Sequence, residues 1–193
     1  MGAAVCVGVL GAPRCGSSMM MAMLNAGGIP PVEGSTETAF ELIEWLTDPD
    51  RVVVPQGRAI KMLDLDRFKL PRAEAPWRFI LMSRAPMEQA KSMAKFVVAL
   101  GVLRNPSPDQ VRDFILETFV DVQETHHRLA DVVRRVGPLM TADYGWVLGN
   151  PIAAAGRLAD FVGGEFDVEK AAGVVHQRTE LCAVDMAFEM SVT

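Results

Sequence analysis

The chain has 193 residues, half of them hydrophobic, and a formal net charge of −5. That length and apolar share suit one domain with a sizeable core. The acidic balance excludes broad binding to nucleic acid, which needs a dense basic face to displace counterions from phosphates, so an anionic ligand must be met locally.

Residues Ala3 to Leu10 form a nearly continuous apolar run with three valines, as expected of a parallel strand buried on both faces. The run is short, lacks a basic flank and leads into a glycine-rich turn, so it reads as a strand rather than a leader peptide. Ser17 to Ala26 is apolar almost all round and stops at Gly27-Gly28, which predicts a buried helix with a glycine C-cap. Thr38 and Glu41 have capping-box spacing ahead of a helix through Phe40, Leu42, Ile43 and Leu46 that ends before Asp48-Pro49. Strands are expected at Ala59 to Leu63 and Trp77 to Met82, the second closed by Ser83-Arg84 and followed by a helix from Pro86.

Ser107-Pro108-Asp109-Gln110 is a strong helix start, and Val111, Phe114, Ile115, Val122, Leu129 and Val132 or Val133 continue at helical spacing to Gly137. A short strand over Pro138 to Thr141 and a helix over Ile152 to Val162, ended by Gly163-Gly164, complete the pattern. Strands alternating with helices predict an α/β three-layer sandwich around a central parallel sheet. No linker, repeat or low-complexity tract divides residues 1–193, and no apolar run has transmembrane length, so we expect one domain and no membrane partner. Three cysteines, an odd number without metal-ligand spacing, fit a reducing compartment, with the cytoplasm as the default.

Two stretches carry chemistry. The first is Gly11-Ala12-Pro13-Arg14-Cys15-Gly16-Ser17-Ser18, between a buried strand and a helix. Glycines there let successive backbone N–H groups point inward while the helix N-terminus adds partial positive charge, together making an anion cradle. The glycine spacing is that of a nucleotide triphosphatase loop, but Ser17 stands where such loops carry lysine, leaving Arg14 as the sole cation within it. The strand over Phe79 to Met82 ends in Ser83-Arg84 and not in an acidic residue suited to magnesium. A plain strand-to-helix turn is the competing reading, and Met19 to Met23 reads as core. Cys15 at a helix N-terminus invites a thiol-phosphatase reading. That loop would need an arginine at position 21, which is Met21, so Cys15 reads as a small loop residue.

The second stretch is Arg84-Ala85-Pro86 with Ser92 two turns into the following helix. Arg84 at the carboxyl edge of the sheet suits a charge-assisted contact to phosphate, Ser92 adds a hydroxyl, and Lys91 and Lys95 raise the local positive potential.

Together the two stretches resemble the sulfotransferase superfamily, whose donor is 3′-phosphoadenosine 5′-phosphosulfate. Gly11 to Ser18 resembles its 5′-phosphosulfate loop, and Arg84, Pro86 and Ser92 resemble its 3′-phosphate motif. Ala142-Asp143-Tyr144, Asn150-Pro151 and Leu158 to Gly163 echo a later stretch that mainly builds the fold, and Val174 to Arg178 loosely matches a basic nucleotide-binding tail. Cys15, Ala85 and Met93 depart from the family pattern.

The resemblance implies a P-loop nucleotide-binding fold and sulfuryl transfer to a hydroxyl or amine, with no obligatory metal. It implies nucleotide contacts from Pro13, Arg14, Cys15, Gly16, Ser17, Ser18, Arg84, Ser92 and Arg178. Arg14 and Lys61 become candidates for relieving charge on the leaving phosphate. Glu33 and Glu37, in the loop after the first helix, are positioned like the general base of some branches. Leu63 stands where others carry histidine; Asp64 and Asp66 are further candidates, whereas His126 and His127 read as helix residues. The acceptor is a small molecule or a carbohydrate, and an oligomer is compatible with the sequence. Two other readings stay open: a P-loop kinase or nucleotide hydrolase recruiting Asp64 to magnesium, and a catalytically degenerate nucleotide-binding protein.

Overall fold

A computed structural model describes residues 5–35, 42, 45, 48, 50–63, 65 and 69–175. Strand β1 (Cys6–Gly11) is followed by helix α1 (Ser17–Ala26), a short strand β2 (Val53–Val54), β3 (Ala59–Leu63), β4 (Arg72–Ala73) and β5 (Trp77–Ser83). Then come α2 (Pro86–Ala99), α3 (Pro108–Val133), β6 (Leu139–Asp143), α4 (Tyr144–Gly149), α5 (Pro151–Val162) and α6 (Val168–Gly173). The expected helix after Thr38 falls largely outside the described residues.

The main sheet has the order β3-β1-β5-β6, every neighbouring pair parallel, so β1 lies inside it with Val9 opposite Lys61 on one side and Ile80 on the other. All six β1 residues are buried, because helices cover both faces of the sheet. Strand alternation sorts the side chains. Val7, Val9, Ile80 and Met82 face α1, α5 and α6 through Met20, Met23, Leu24, Ala155, Leu158 and Ala171. Cys6, Leu10, Ile60, Phe79 and Leu81 face the far end of α3 through Leu129, Ala130 and Val133. Truncating a fully buried leucine such as Leu129 to alanine costs about 2–5 kcal/mol. The protein is therefore an α/β sandwich with a central parallel sheet.

The local signals act as their chemistry dictates. Ser107 accepts a hydrogen bond from the Gln110 backbone N–H at 3.3 Å, and the Gln110 side chain accepts one from the Ser107 N–H at 2.9 Å, closing the capping box that starts α3. Helix α3 ends at Val133 rather than reaching Gly137, since Val136 and Gly137 donate to the Val133 carbonyl in a closing turn. Helix α2 packs on α3 through Ala90, Ala94, Val111 and Ile115, a small core separate from the two sheet faces. The minor pair β2-β4 and the short helices α4 and α6 are additions that the sequence pattern does not announce. Among the described residues, no helix is long and apolar enough to cross a membrane.

Candidate anion-binding cleft

Parallel strands bring their carboxyl ends to one edge, and both chemical stretches leave the sheet there. The loop after β1 reverses tightly, with the Cys15 N–H donating to the Ala12 carbonyl at 3.3 Å. Gly16, the N-cap of α1, has φ of 101° and supplies no side-chain cap. Any Cβ at Gly16 would collide with the Tyr144 ring, so its left-handed backbone and the close aromatic neighbour both demand glycine. The uncapped first turn leaves backbone N–H groups directed at the cleft, a fit for an anionic group. Arg14 also adopts the left-handed region, at φ of 69°, a strained conformation for a non-glycine residue that costs about 1–2 kcal/mol.

Side chains from three other elements lock this loop. Gln89 in α2 is 2% exposed and donates through Nε2 to the Pro13 carbonyl at 2.8 Å and the Ala12 carbonyl at 3.1 Å. Lys61 in β3 is 6% exposed and donates through Nζ to Ser18 Oγ at 3.3 Å. Arg84, whose side chain is 13% exposed, donates through Nη1 to the Arg14 carbonyl at 3.4 Å and meets Glu88 Oε2 at 3.5 Å through Nη2. Its guanidinium lies 5.0 Å from the Tyr144 ring centroid. Arg14 in turn donates through Nε to Ser92 Oγ at 3.3 Å and stacks 4.8 Å from the Phe96 ring centroid. The two stretches are thus joined directly, loop to helix, by Arg14–Ser92 and Arg84–Arg14.

Pro13, Arg14, Gly16, Ser17, Ser18, Lys61, Arg84, Phe96 and Tyr144 share the lining of one cleft of about 280 Å³. Three cations and the helix N-terminus converge on it, which is the electrostatics of an anion site. A second cleft of about 490 Å³ adjoins it across Arg84 and Tyr144 and carries two carboxylates, Glu88 and Asp143. Asp143 Oδ1 also caps α4, accepting from the Trp146 N–H at 2.8 Å.

Not every candidate arrives. Glu33 is 91% exposed and sits 3.6 Å from Arg58, whose own backbone just precedes β3 at the amino edge of the sheet. The five-residue strand then separates that edge from the loop by about 16 Å at ~3.3 Å per residue. Glu37, Asp64, Asp66 and Arg178 lie outside the described residues. Cys15 is fully buried, and burial pushes its thiol above the ordinary range, the opposite of what a thiolate nucleophile requires. Its part in the loop is that of a small packed residue.

Gln89, which holds the loop, and Phe96 and Tyr144, which line the cleft, are residues that motif reading passes over or assigns to the fold. Gln89 had a signal: it is a polar residue beside Ala90 on the helix stripe that continues through Ala94 and Val97 into the core. Phe96 and Tyr144 had none, since their role is to lie under a guanidinium supplied from elsewhere in the chain.

No protein-family model and no curated protein matches the chain. Among solved structures it is similar to the sulfotransferase domain from the Synechococcus PCC 7002 olefin synthase, with a TM-score of 0.53 and 14% identity, over 98% of this chain and 83% of that domain. At that identity the likeness is one of fold.

Proposed function

We propose that this protein is a sulfotransferase that takes a sulfuryl group from 3′-phosphoadenosine 5′-phosphosulfate and passes it to a hydroxyl or amine acceptor. The observation that carries the reading is the convergence of the lysine-free loop and the Arg84–Ser92 stretch on one cleft, with Arg14 touching both. A donor with two separated anionic groups matches that pairing, and the sulfotransferase fold of the similar domain supports it.

In this reading the N–H groups of the α1 first turn hold the phosphosulfate, with Ser17 and Ser18 adding hydroxyls. Lys61, which reaches Ser18 from β3, lies beside that cradle and offsets charge as it develops on the leaving phosphate oxygen. Arg84 and Ser92 hold the remote phosphate, and Arg14 bridges the two halves. Transfer forms a bond from the acceptor oxygen or nitrogen to sulfur and breaks the bond from sulfur to the phosphate oxygen. The acceptor proton leaves to a base or to water.

One observation favours a second reading, a nucleotide-binding protein without turnover: among the described residues lining the cleft there is no carboxylate and no imidazole. Calorimetry and a transfer assay separate the two. Adenosine 3′,5′-bisphosphate binds without metal under both, whereas release of bisphosphate from the donor in the presence of a phenol or an amine occurs only under the first. Binding of ATP with magnesium in place of the bisphosphate would overturn both.

A further inference from the structure

Between the start of α2 and the middle of α3, bordered by Ala12 of the loop after β1, lies a cavity of about 270 Å³. Its wall includes Arg84 from the connection after β5, Gln89 from α2, and Val122, Gln123, His126 and His127 from α3. Among the described residues that line it there is no carboxylate. Met82, Pro86 and Val122 supply apolar surface, so a molecule entering meets hydrocarbon and nitrogen groups together. Gln89 is committed to the loop carbonyls, but His126 Nε2 is shut off from solvent and has no hydrogen-bond partner. Orphaned buried nitrogens of this sort are uncommon and call for an explanation.

We propose that this cavity is a second binding site, for a small organic anion with an apolar body such as an aromatic carboxylate. The carboxylate takes hydrogen bonds from Arg84, Gln123 and the histidine pair, while the ring packs on Met82, Pro86 and Val122. The volume sets the size at roughly one substituted ring, near the lower end of ordinary ligand pockets. Arg84 belongs to the walls of both this cavity and the anion cleft, so the two sites draw on one guanidinium. The proposal rests on the residues that line this cavity and not on the sulfotransferase reading.

The test titrates benzoate, with benzyl alcohol and benzamidine as uncharged and cationic counterparts, into the full chain while following the histidine ring resonances by NMR. Benzoate is expected to move the His126 and His127 signals saturably, with an affinity at least 10-fold above that of either counterpart. Gln123→Trp, at an exposed position on the cavity wall, is expected to abolish the benzoate shift while the circular dichroism spectrum and melting temperature stay those of wild type and confirm the fold. An absence of saturable shifts, equal response to all three probes, or a benzoate response unchanged in Gln123→Trp would overturn the proposal. So would complete stoichiometric displacement of benzoate by the bisphosphate in both Arg84 and Arg84→Gln proteins, which would put benzoate in the phosphate cleft.

Discussion

The turn after β1 and the stretch after β5 leave the same edge of the same sheet, yet they are built in different ways. The first is made of backbone: a left-handed glycine, a strained arginine, a buried cysteine and the open N-terminus of α1. The second is made of side chains that reach back, with Arg84 gripping the Arg14 carbonyl, Gln89 the Ala12 and Pro13 carbonyls, and Ser92 the Arg14 Nε. Backbone geometry is disrupted only by changing conformation, and the damage is then wholesale. A side-chain clamp comes apart one contact at a time, each loss graded by charge and burial.

Gly16→Ala attacks the backbone half and carries the largest expected effect. The alanine needs a left-handed conformation, costing about 1–2 kcal/mol, and its Cβ also displaces the Tyr144 ring. Melting temperature should fall by about 2–8 °C on the strain alone, and calorimetry should show bisphosphate binding lost. Retention of wild-type affinity would mean that the loop does not cradle the ligand.

Arg84→Gln attacks the side-chain half. Losing one charge-assisted contact costs about 1.5–3 kcal/mol, so bisphosphate affinity should drop about 10- to 100-fold with the fold intact by circular dichroism. An unchanged affinity would separate the second stretch from the ligand altogether.

Gln89→Leu sharpens the comparison, because it removes a side-chain amide that donates to the loop's backbone. The Pro13 carbonyl loses its donor, at a cost of about 1–3 kcal/mol, while Ala12 keeps its bond from the Cys15 N–H. The variant should melt lower than wild type, and bisphosphate should restore part of the difference by holding the loop. Identical melting temperatures would show that the clamp does not support the turn.

The smallest effect is a pH dependence that neither half contributes. Burial holds the His126 pKa below its ordinary value, with the His127 and Arg134 charges adding to the shift. The unfolded chain therefore binds the proton more readily, so His126 costs the fold nothing above the ordinary histidine pKa of about 6.5. Stability is lost as pH falls from there toward the lowered folded value. Chemical denaturation between pH 7.5 and 5.5 should show a decline that His126→Gln flattens; equal slopes would place the effect on other groups.

Much of this architecture is legible in the chain. The unbroken apolar run before Gly11, the all-round apolar helix closed by Gly27, the Ser107–Gln110 capping box and the strand before Arg84 rest on interactions among near neighbours, and they form where the sequence places them. The open glycine turn of Gly11 to Ser18 is of the same kind, because a glycine turn opening a helix exposes N–H groups whatever surrounds it. Only the tertiary structure decides which distant side chains complete the cleft. Arg14 and Ser92 are 78 residues apart, and Lys61 meets Ser18 across 43, distances bridged because β1 lies between β3 and β5. The same strand order carries Glu33 to the amino edge, held by Arg58, and puts Tyr144 beneath both Gly16 and Arg84. Local propensity reads a few residues at a time, whereas a parallel sheet chooses neighbours by register and burial, and register is a property of the whole fold.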